Sequence, residues 1–285
     1  MGAGEAARVR SVLTKHSLET VCDSARCPNT GHCFQCGTAT FLILGPRCTR
    51  ACRYCAIEGA PSDSLPPPDP GEPERLAAAS AEIGLSHVVV TSVTRDDLPD
   101  GGAGHFAGTI RALKARIEGV TVEVLTPDFR GSPEALRILA DAAPDVFNHN
   151  LETVEKLFPL VRPGASYALS LDVLAAYGRL RPETPLKSGL MLGLGETARD
   201  LEQAISDLRD GGVTMLTLGQ YLQPTKAHWP VARYLHPDEF MHWKEIAEAA
   251  GFLSVASGPL VRSSFHADAG FKRCKGGKLS PSAGS

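Results

Sequence analysis

Three cysteines in the first part of the chain have a spacing that suits an iron–sulfur cluster. Cys48, Cys52 and Cys55 form a Cys-x3-Cys-x2-Cys motif, and no fourth cysteine follows at short spacing. Thiolates are the usual ligands of 4Fe–4S clusters, so three of them would hold three irons and leave the fourth open to a substrate-like molecule. A structural zinc site normally closes with four ligands, and here it would have to borrow a distant one. The motif therefore favours a cluster that binds a small molecule at one iron.

A second group of cysteines lies just before the first. Cys22, Cys27 and Cys33 have the spacing Cys-x4-Cys-x5-Cys, and Cys36 follows them. Cys33 and Cys36 would make half of a zinc site, so a four-cysteine zinc centre and a second iron–sulfur cluster are both open at this point. A disulfide-rich secreted protein would be shorter, with its cysteines spread along the chain. Seven of the eight cysteines lie between Cys22 and Cys55, and this clustering predicts metal binding.

The bulk composition limits the class of protein. The chain has 285 residues, of which 43% are hydrophobic, and this length fits one large α/β barrel. The net charge of −3 argues against a nucleic-acid surface, which normally needs a basic stripe. No run of 18 apolar residues is present, and residues 1–10 lack the apolar core of a secretory signal. We expect a cytoplasmic protein without nucleic-acid or membrane partners.

The elements that must position the cysteines alternate between strand and helix. Apolar runs predict strands at 40–45, 87–91, 120–125, 145–148, 186–192 and 215–218. Helical patterns follow at 74–83, 104–117, 133–141, 153–160, 167–177, 198–210 and 237–250. Six such units predict a parallel sheet, and they are too few for a closed eight-stranded barrel, so we expect an α/β fold with a partial (β/α)6 parallel barrel. Its site should lie at the carboxyl ends of the strands.

The segments outside the six units have less pattern. Residues 1–21 predict a short helix, and residues 22–38 an irregular cysteine-rich extension. After a last apolar piece at 252–256, the tail from Gly270 onwards is rich in Gly, Lys and Ser, which predicts disorder.

The cysteine motifs resemble those of a known enzyme family. The segment Cys48-Thr-Arg-Ala-Cys-Arg-Tyr-Cys55 resembles the radical S-adenosylmethionine (radical SAM) enzymes, and the run from Cys22 to Cys33 is similar to that of the lipoyl synthases. The likeness spans about residues 8–270. It continues through the segments 91–102, 125–131, 148–153, 187–196, 219–224 and 258–265.

The resemblance implies a sulfurtransferase reaction. A cluster on Cys48, Cys52 and Cys55 would bind S-adenosylmethionine and cleave it to a 5′-deoxyadenosyl radical. The radical would remove hydrogen from carbons 6 and 8 of an octanoyl chain that is attached to a lysine of a lipoyl carrier protein. The carrier would be the E2 lipoyl domain of a dehydrogenase complex or the H protein of glycine cleavage, and an electron donor would be needed.

The resemblance also implies a second 4Fe–4S cluster, which supplies the sulfur atoms. Its ligands would be Cys22, Cys27, Cys33 and the hydroxyl of Ser263, and an oxygen ligand suits a cluster that must break. Because Ser263 is far from Cys33 in sequence, the C-terminal segment must fold back and close the barrel mouth. Without the resemblance, Arg262-Ser263-Ser264 would be interpreted as a polar turn. The single domain of residues 1–285 would then divide into an N-terminal extension, the partial barrel and a C-terminal segment at 1–38, 39–257 and 258–285.

Seven further residues would contact S-adenosylmethionine by the same resemblance. They are Asp96, Asp97, Asn150, Glu152, Lys187, Gly193 and Glu196. The aspartates would bind the methionine amino group, Asn150 and Glu152 the ribose, and the glycine-rich segment the adenine. Lys187 or Arg130 would hold the methionine carboxylate.

Each of these residues also has a structural interpretation. Asp96 and Asp97 could be loop acids or helix caps, and Glu152 precedes a helix start, where a carboxylate is favourable. Lys187 and Arg130 could form surface ion pairs, and the glycines could serve close packing. His149 is expected to be a packed strand-end histidine.

Three departures from the family pattern concern the clusters. Cys36 stands where glycine is expected and could compete with Ser263. Phe265 stands where tyrosine is usual, and Pro46-Arg47 replaces Gly-Asp. Two other functions remain open: a non-catalytic zinc-binding scaffold that uses Cys36 as its fourth ligand, and a radical SAM enzyme with another substrate.

Overall fold

One eight-stranded sheet organises the fold. The computed structural model describes residues 2–35 and 39–276. The strands are β1 (Glu19–Thr20), β2 (Thr40–Ile43), β3 (Arg47–Cys48), β4 (Glu58–Gly59), β5 (His87–Ser92), β6 (Thr121–Leu125), β7 (Val146–Asn148), β8 (Leu186–Leu192), β9 (Met215–Gln220) and β10 (Ser254–Gly258). The large sheet has the order β1-β2-β5-β6-β7-β8-β9-β10. Strands β3 and β4 pair separately, beside the loop that carries Cys48, Cys52 and Cys55, which we call the first cysteine loop.

The sheet confirms the predicted partial parallel barrel. Strand β1 is antiparallel to β2, and every other pair in the large sheet is parallel. Within the described residues the ladder ends at β1 and β10. All six predicted strands are present, and the structure adds β10 as a seventh parallel strand. The sequence did not predict β10 because its apolar signal begins earlier, at Phe252, and only the first two of its five residues are buried.

Helices alternate with the strands of the sheet along most of the chain. They are α1 (Gly2–Lys15), α2 (Val21–Ser24), α3 (Thr30–Gln35), α4 (Glu72–Ile83), α5 (Ala103–Arg116), α6 (Pro133–Ala142), α7 (Phe158–Val161), α8 (Tyr167–Leu180), α9 (Ala198–Asp210), α10 (Pro237–Ala249) and α11 (Ala267–Gly276). Their starts follow local chemistry: Thr197 and Asp200 form a capping box before α9, and Pro237 occupies the first turn of α10. Among the described residues, none of these helices is long and apolar enough to cross a membrane.

Two predictions about the chain ends were wrong. The cysteine-rich segment contains α2 and α3, which are too short to show apolar periodicity. The tail is helical as far as Gly276, because α11 buries Gly270 and Cys274 beside β10. Cys36, which was expected to compete for a ligand position, lies outside the described residues.

Strand alternation separates an apolar layer from a polar one. In β6, Val122 and Val124 are fully buried, and Glu123 between them is also fully buried. Successive side chains of a strand point to opposite faces, so Glu123 faces away from the two valines. Its Oε1 accepts hydrogen bonds from Lys187 Nζ at 2.7 Å and Asn148 Nδ2 at 3.2 Å. A carboxylate is stable there because a cation and an amide satisfy it.

Candidate active site

A cavity of about 480 Å³ opens at the carboxyl ends of the parallel strands, where the sequence predicted the site. Its wall includes the ends of β5, β6, β7, β8 and β9 and the segment 261–264. Five cysteines line this one cavity together with Asn150, Glu152 and Ser263; they are Cys22, Cys27, Cys48, Cys52 and Cys55. Both cysteine groups therefore share a chamber, although they are separate in sequence.

The first cysteine loop is tied to the neighbouring strand ends. Cys48 ends β3, and its Sγ accepts backbone hydrogen bonds from Arg50 N at 3.4 Å and Thr94 N at 3.3 Å. The Cys55 N–H donates to the Cys52 carbonyl at 3.1 Å, which makes a tight turn between these two ligands. Amide donors favour a charged sulfur, so the backbone is arranged for a Cys48 thiolate.

Three thiols of this chamber, those of Cys22, Cys52 and Cys55, have a raised pKa. Burial raises the pKa of Cys22 to about 11 and that of Cys55 to about 12, and it also raises the pKa of Cys52. A coordinated metal deprotonates a thiol outright. The donor set therefore fits iron–sulfur ligation, in which the charge of the iron offsets the cost of burying thiolates.

Five cysteines are spread along the wall of one cavity. In an iron–sulfur cluster each thiolate binds a different iron, so its sulfurs need not converge on one point. The arrangement is compatible with cluster ligation. Within residues 2–35 and 39–276, no group of three His, Cys, Asp or Glu side chains forms a site for a single metal ion.

The second cysteine group is shaped by two short helices. Helix α2 ends at Ala25, and Arg26 takes a left-handed conformation with φ 51°. The following Cys27 N–H donates to the Cys22 carbonyl at 2.9 Å, which brings both cysteines to the cavity wall. Cys33 lies half-buried in α3 and is not among the lining residues.

Ser263 reaches the cavity from the far end of the chain. Its Oγ accepts a hydrogen bond from Asn150 Nδ2 at 2.5 Å, beyond the end of β7. A Cβ built on Gly189 would lie only 3.2 Å from Ser263 Oγ and 2.6 Å from Thr217 Oγ1. Glycine at this position of β8 leaves the space into which the serine side chain fits. The predicted closure of the barrel mouth by the C-terminal segment is confirmed.

Glu152 is held in a rare backbone conformation. Its φ is 70°, and its backbone hydrogen-bonds at both sides to β8, through the Gly189 carbonyl at 2.8 Å and the Met191 N–H at 2.9 Å. Its Oε1 accepts a hydrogen bond from Asn150 Nδ2 at 3.1 Å, and burial raises the pKa of the carboxyl group. Such strain persists only where the surroundings enforce it, and it concentrates at functional sites.

The two aspartates predicted to bind S-adenosylmethionine already have partners in the protein. Asp96 pairs with Arg50 at 2.8 Å and with Arg130 at 3.2 Å. Asp97 pairs with the buried Arg95 at 2.7 Å. Neither aspartate lines the cavity, so both hold the surrounding loops.

The other three predicted contacts also lie behind the cavity wall. Lys187 pairs with Glu123 in the buried layer described above. The Glu196 carboxylate accepts the backbone N–H groups of Gly193, Leu194 and Gly195 at 2.6, 2.9 and 3.0 Å. At Gly193 φ is 93°, and an added Cβ would meet backbone of the neighbouring loop. These residues shape the wall.

His149 is a packed histidine, as the sequence analysis expected. Its Nδ1 lies 2.8 Å from the Thr126 carbonyl, so this nitrogen carries the proton. Burial and the neighbouring Arg162 lower the pKa of His149 to about 4. The ring is therefore neutral at physiological pH.

Two arginines at the site were missed by the sequence analysis. Arg50 lies inside the first cysteine loop, and its guanidinium binds Asp128 at 2.6 and 2.7 Å as well as Asp96. Arg162 is buried, and its Nη1 donates to the Asn150 carbonyl at 3.0 Å. The sequence contained a signal for Arg50, because a cationic side chain between Cys48 and Cys52 needs partners of opposite charge. For Arg162 no local signal exists.

Known proteins resemble this chain in sequence. Residues 42–208 match the family model of the Radical SAM superfamily. The chain is 55% identical over 270 residues to a lipoyl synthase of Methylococcus capsulatus, covering 94% of this chain and 83% of that protein. It is 53% identical over 270 residues to a lipoyl synthase of Caldanaerobacter subterraneus subsp. tengcongensis, covering 94% and 93%.

Two solved structures share the fold. The FeFe-hydrogenase maturase HydG from Carboxydothermus hydrogenoformans has a TM-score of 0.57 at 14% identity, covering 76% of this chain and 52% of that chain. Coproporphyrinogen III oxidase from Escherichia coli has a TM-score of 0.54 at 12% identity, covering 76% and 55%. At these identities the likeness concerns the fold alone.

Proposed function

The chain belongs to the lipoyl synthase family within the Radical SAM superfamily, and we propose how its residues divide the work of that reaction. The enzyme inserts two sulfur atoms, at C6 and C8, into an octanoyl chain carried by a protein. The observation that carries the proposal is that cysteines of both groups and Ser263 line one cavity. A radical formed there is already beside the sulfur source and need not cross solvent.

We assign the ligands of the two clusters from the family resemblance, supported by the five cysteines that line the cavity. Cys48, Cys52 and Cys55 hold the first 4Fe–4S cluster and leave one iron open to S-adenosylmethionine. A second 4Fe–4S cluster is held by four residues, which are Cys22, Cys27, Cys33 and Ser263. When bound, the first cluster delivers the electron that cleaves S-adenosylmethionine and the second delivers sulfur.

The protein's own residues orient the reactants and exclude water. Asn150 and Glu152 line the cavity and are placed to bind S-adenosylmethionine directly. The five other predicted contacts act on it through the loops that they stabilise; these are Asp96, Asp97, Lys187, Gly193 and Glu196. The segment 261–264 forms part of the cavity wall. A chamber that limits access of water protects a reactive radical from side reactions.

The substrate carrier is an octanoylated protein, either the E2 lipoyl domain of a dehydrogenase complex or the H protein of glycine cleavage. We place the reaction in the cytoplasm with a reduced electron donor.

The test is sulfur transfer by the full chain. Protein reconstituted without oxygen should contain about eight irons. Given an octanoylated carrier, a reductant and S-adenosylmethionine, it should increase the carrier's mass by two sulfurs. Formation of 5′-deoxyadenosine without sulfur on the carrier would indicate another radical reaction, and one zinc per chain without cleavage would indicate a metal-binding scaffold.

A further inference from the structure

Asn29 lies between two cysteines of the second group and contacts both ends of the chain. It is buried, with 6% of its surface exposed. Its backbone carbonyl accepts a hydrogen bond from the Cys33 N–H at 2.8 Å. Its side-chain Nδ2 donates to the Leu260 carbonyl at 2.6 Å, across 231 positions of sequence. One residue therefore fixes the start of the α3 turn that carries Cys33 and also binds the segment that carries Ser263.

The segment from 259 to 266 has no strand or helix of its own. Its position depends on a few contacts with the rest of the molecule. Besides Asn29, Thr40 Oγ1 donates to Ser264 Oγ at 2.8 Å, Asn150 binds Ser263, and Arg262 Nη1 donates to the Gln220 carbonyl at 3.3 Å. From the second cysteine loop, residues 22–33, Asn29 supplies a hydrogen bond to this segment, and the His32 ring lies 6.4 Å from the Phe265 ring and 6.3 Å from the His266 ring. A segment without ladder hydrogen bonds opens easily, so each such contact has a large share in its order.

We propose that Asn29 is a positioning residue that joins the second cysteine loop to the C-terminal segment and so holds Ser263 beside these cysteines. This rests on the proposed function, in which Ser263 is a ligand of the second cluster. Ordering a loop costs conformational entropy. If Asn29 has already ordered residues 260–263, the serine can bind iron without that cost, which is the advantage of preorganisation.

The same link accounts for a distant serine serving as a ligand at all. Cys33 and Ser263 are carried by segments at opposite ends of the chain, and a hydrogen bond between protein atoms sets their relative position before any metal binds. A hydrogen bond lost from such a buried site weakens the closed state by about tenfold in its equilibrium constant. Loss of the Asn29 amide should therefore make residues 259–266 less ordered, while Cys22, Cys27 and Cys33 are still present as ligands.

The first test uses hydrogen exchange of the full chain in its metal-free form. The Asn29→Ala variant should exchange the amides of residues 259–266 about tenfold faster. The matched control is Thr30→Val, because the Thr30 hydroxyl binds the Cys22 and Cys27 carbonyls at 2.9 Å each and so acts within the second cysteine loop itself. This control should leave the exchange of 259–266 unchanged. Equal exchange in Asn29→Ala and the natural chain, or equal acceleration by Thr30→Val, would overturn the proposal.

The second test uses the reconstituted protein. Asn29→Ala should release the iron of the second cluster to a chelator about tenfold faster, and it should retain cleavage of S-adenosylmethionine by the first. Asn29→Asp is nearly isosteric, but it presents an acceptor to the Leu260 carbonyl and should therefore release iron at the same increased rate. This variant provides the test if the alanine variant does not fold. An unchanged iron-release rate in both variants would contradict the proposal.

The Ser263→Ala variant distinguishes failure of the ligand assignment from failure of the Asn29 proposal. If its Mössbauer spectrum shows the second cluster unchanged, Ser263 is not a ligand and the proposed function fails at that point. The exchange measurement on Asn29→Ala does not depend on iron, so it still decides whether Asn29 positions the segment.

Discussion

Asn150 donates a hydrogen bond from its Nδ2 to the Oγ of Ser263 at 2.5 Å, across 113 positions of sequence. The contact joins the end of β7 to a segment that follows the last strand of the sheet. Because Asn150 also binds Glu152 at 3.1 Å, the serine is coupled to the residues that we propose bind S-adenosylmethionine. This relationship allows the two halves of the reaction to be separated by mutation.

Ser263→Ala should uncouple the two steps. We expect 5′-deoxyadenosine formation to persist, because the first cysteine loop is intact, while sulfur insertion falls by about a hundredfold or more, on the scale of losing a critical active-site group. Both products are measured in one anaerobic assay. Ser92→Ala is the matched control, since Ser92 also lines the cavity but belongs to β5 and not to the C-terminal segment, and it should retain most of the sulfur insertion. Intact sulfur insertion in Ser263→Ala would contradict the assignment.

Arg50→Lys should destabilise the protein. The Arg50 guanidinium binds Asp96 and Asp128 through both edges, and a lysine cannot reproduce that planar fork. We expect the free energy of unfolding to fall by about 3 kcal/mol in urea titrations, because two buried carboxylates lose part of their compensation.

The control for Arg50 is Arg130→Lys. Arg130 pairs with the same Asp96, but its side chain is 69% exposed. An exposed pair contributes about 1 kcal/mol or less, so this variant should be nearly neutral. A similar loss in both variants would show that burial of the Arg50 network is not the cause.

Asp128 should make stability depend on pH in acid. Burial by itself would raise its pKa, but the hydrogen bonds and charge of Arg50 outweigh burial and lower the pKa to about 2 from the usual 3.8. A carboxyl whose pKa is lower in the folded state stabilises the fold above its unfolded pKa. That contribution of about 2 kcal/mol is lost as the pH falls from about 4 to 2.

The measurement is urea unfolding at a series of acid pH values for the natural chain and for Asp128→Asn. The variant is expected to be less stable at pH 5, and the difference should shrink toward pH 2. A difference that stays constant across this range would mean that Asp128 titrates alike in the folded and unfolded states.

Gly189→Ala should displace Ser263. The new methyl group would lie 2.6 Å from Thr217 Oγ1 and 3.0 Å from Asn150 Oδ1, inside a packed wall. We expect a loss of about 1–3 kcal/mol in unfolding free energy and a larger loss of sulfur insertion than of 5′-deoxyadenosine formation. Gly4→Ala is the control: it lies in α1 with open space around it, so it should be neutral or stabilising by about 0.5–1 kcal/mol. Equal losses of both products in Gly189→Ala would contradict a specific effect on Ser263.

Much of the fold was accessible from local pattern. Strand β8 and helix α9 were predicted at their observed bounds, because apolar runs, the glycine turn between them and the Thr197 cap are all encoded within a few residues. The short helices α2 and α3 were not, since four or six residues contain too few turns to show a period. Their form depends on contacts with the rest of the molecule, such as the Arg10 guanidinium over the Phe34 ring.

The sequence by itself determined the kind of chemistry, because the spacing of Cys48, Cys52 and Cys55 is a property of the chain. Only the tertiary structure decided which predicted contacts reach the cavity. In the folded chain Asn150 and Glu152 line the cavity, whereas Lys187 pairs with Glu123 in a buried layer. The physical reason is that an ion pair between residues far apart in sequence leaves no local pattern, and it forms only when the sheet brings β6 and β8, on either side of β7, into register.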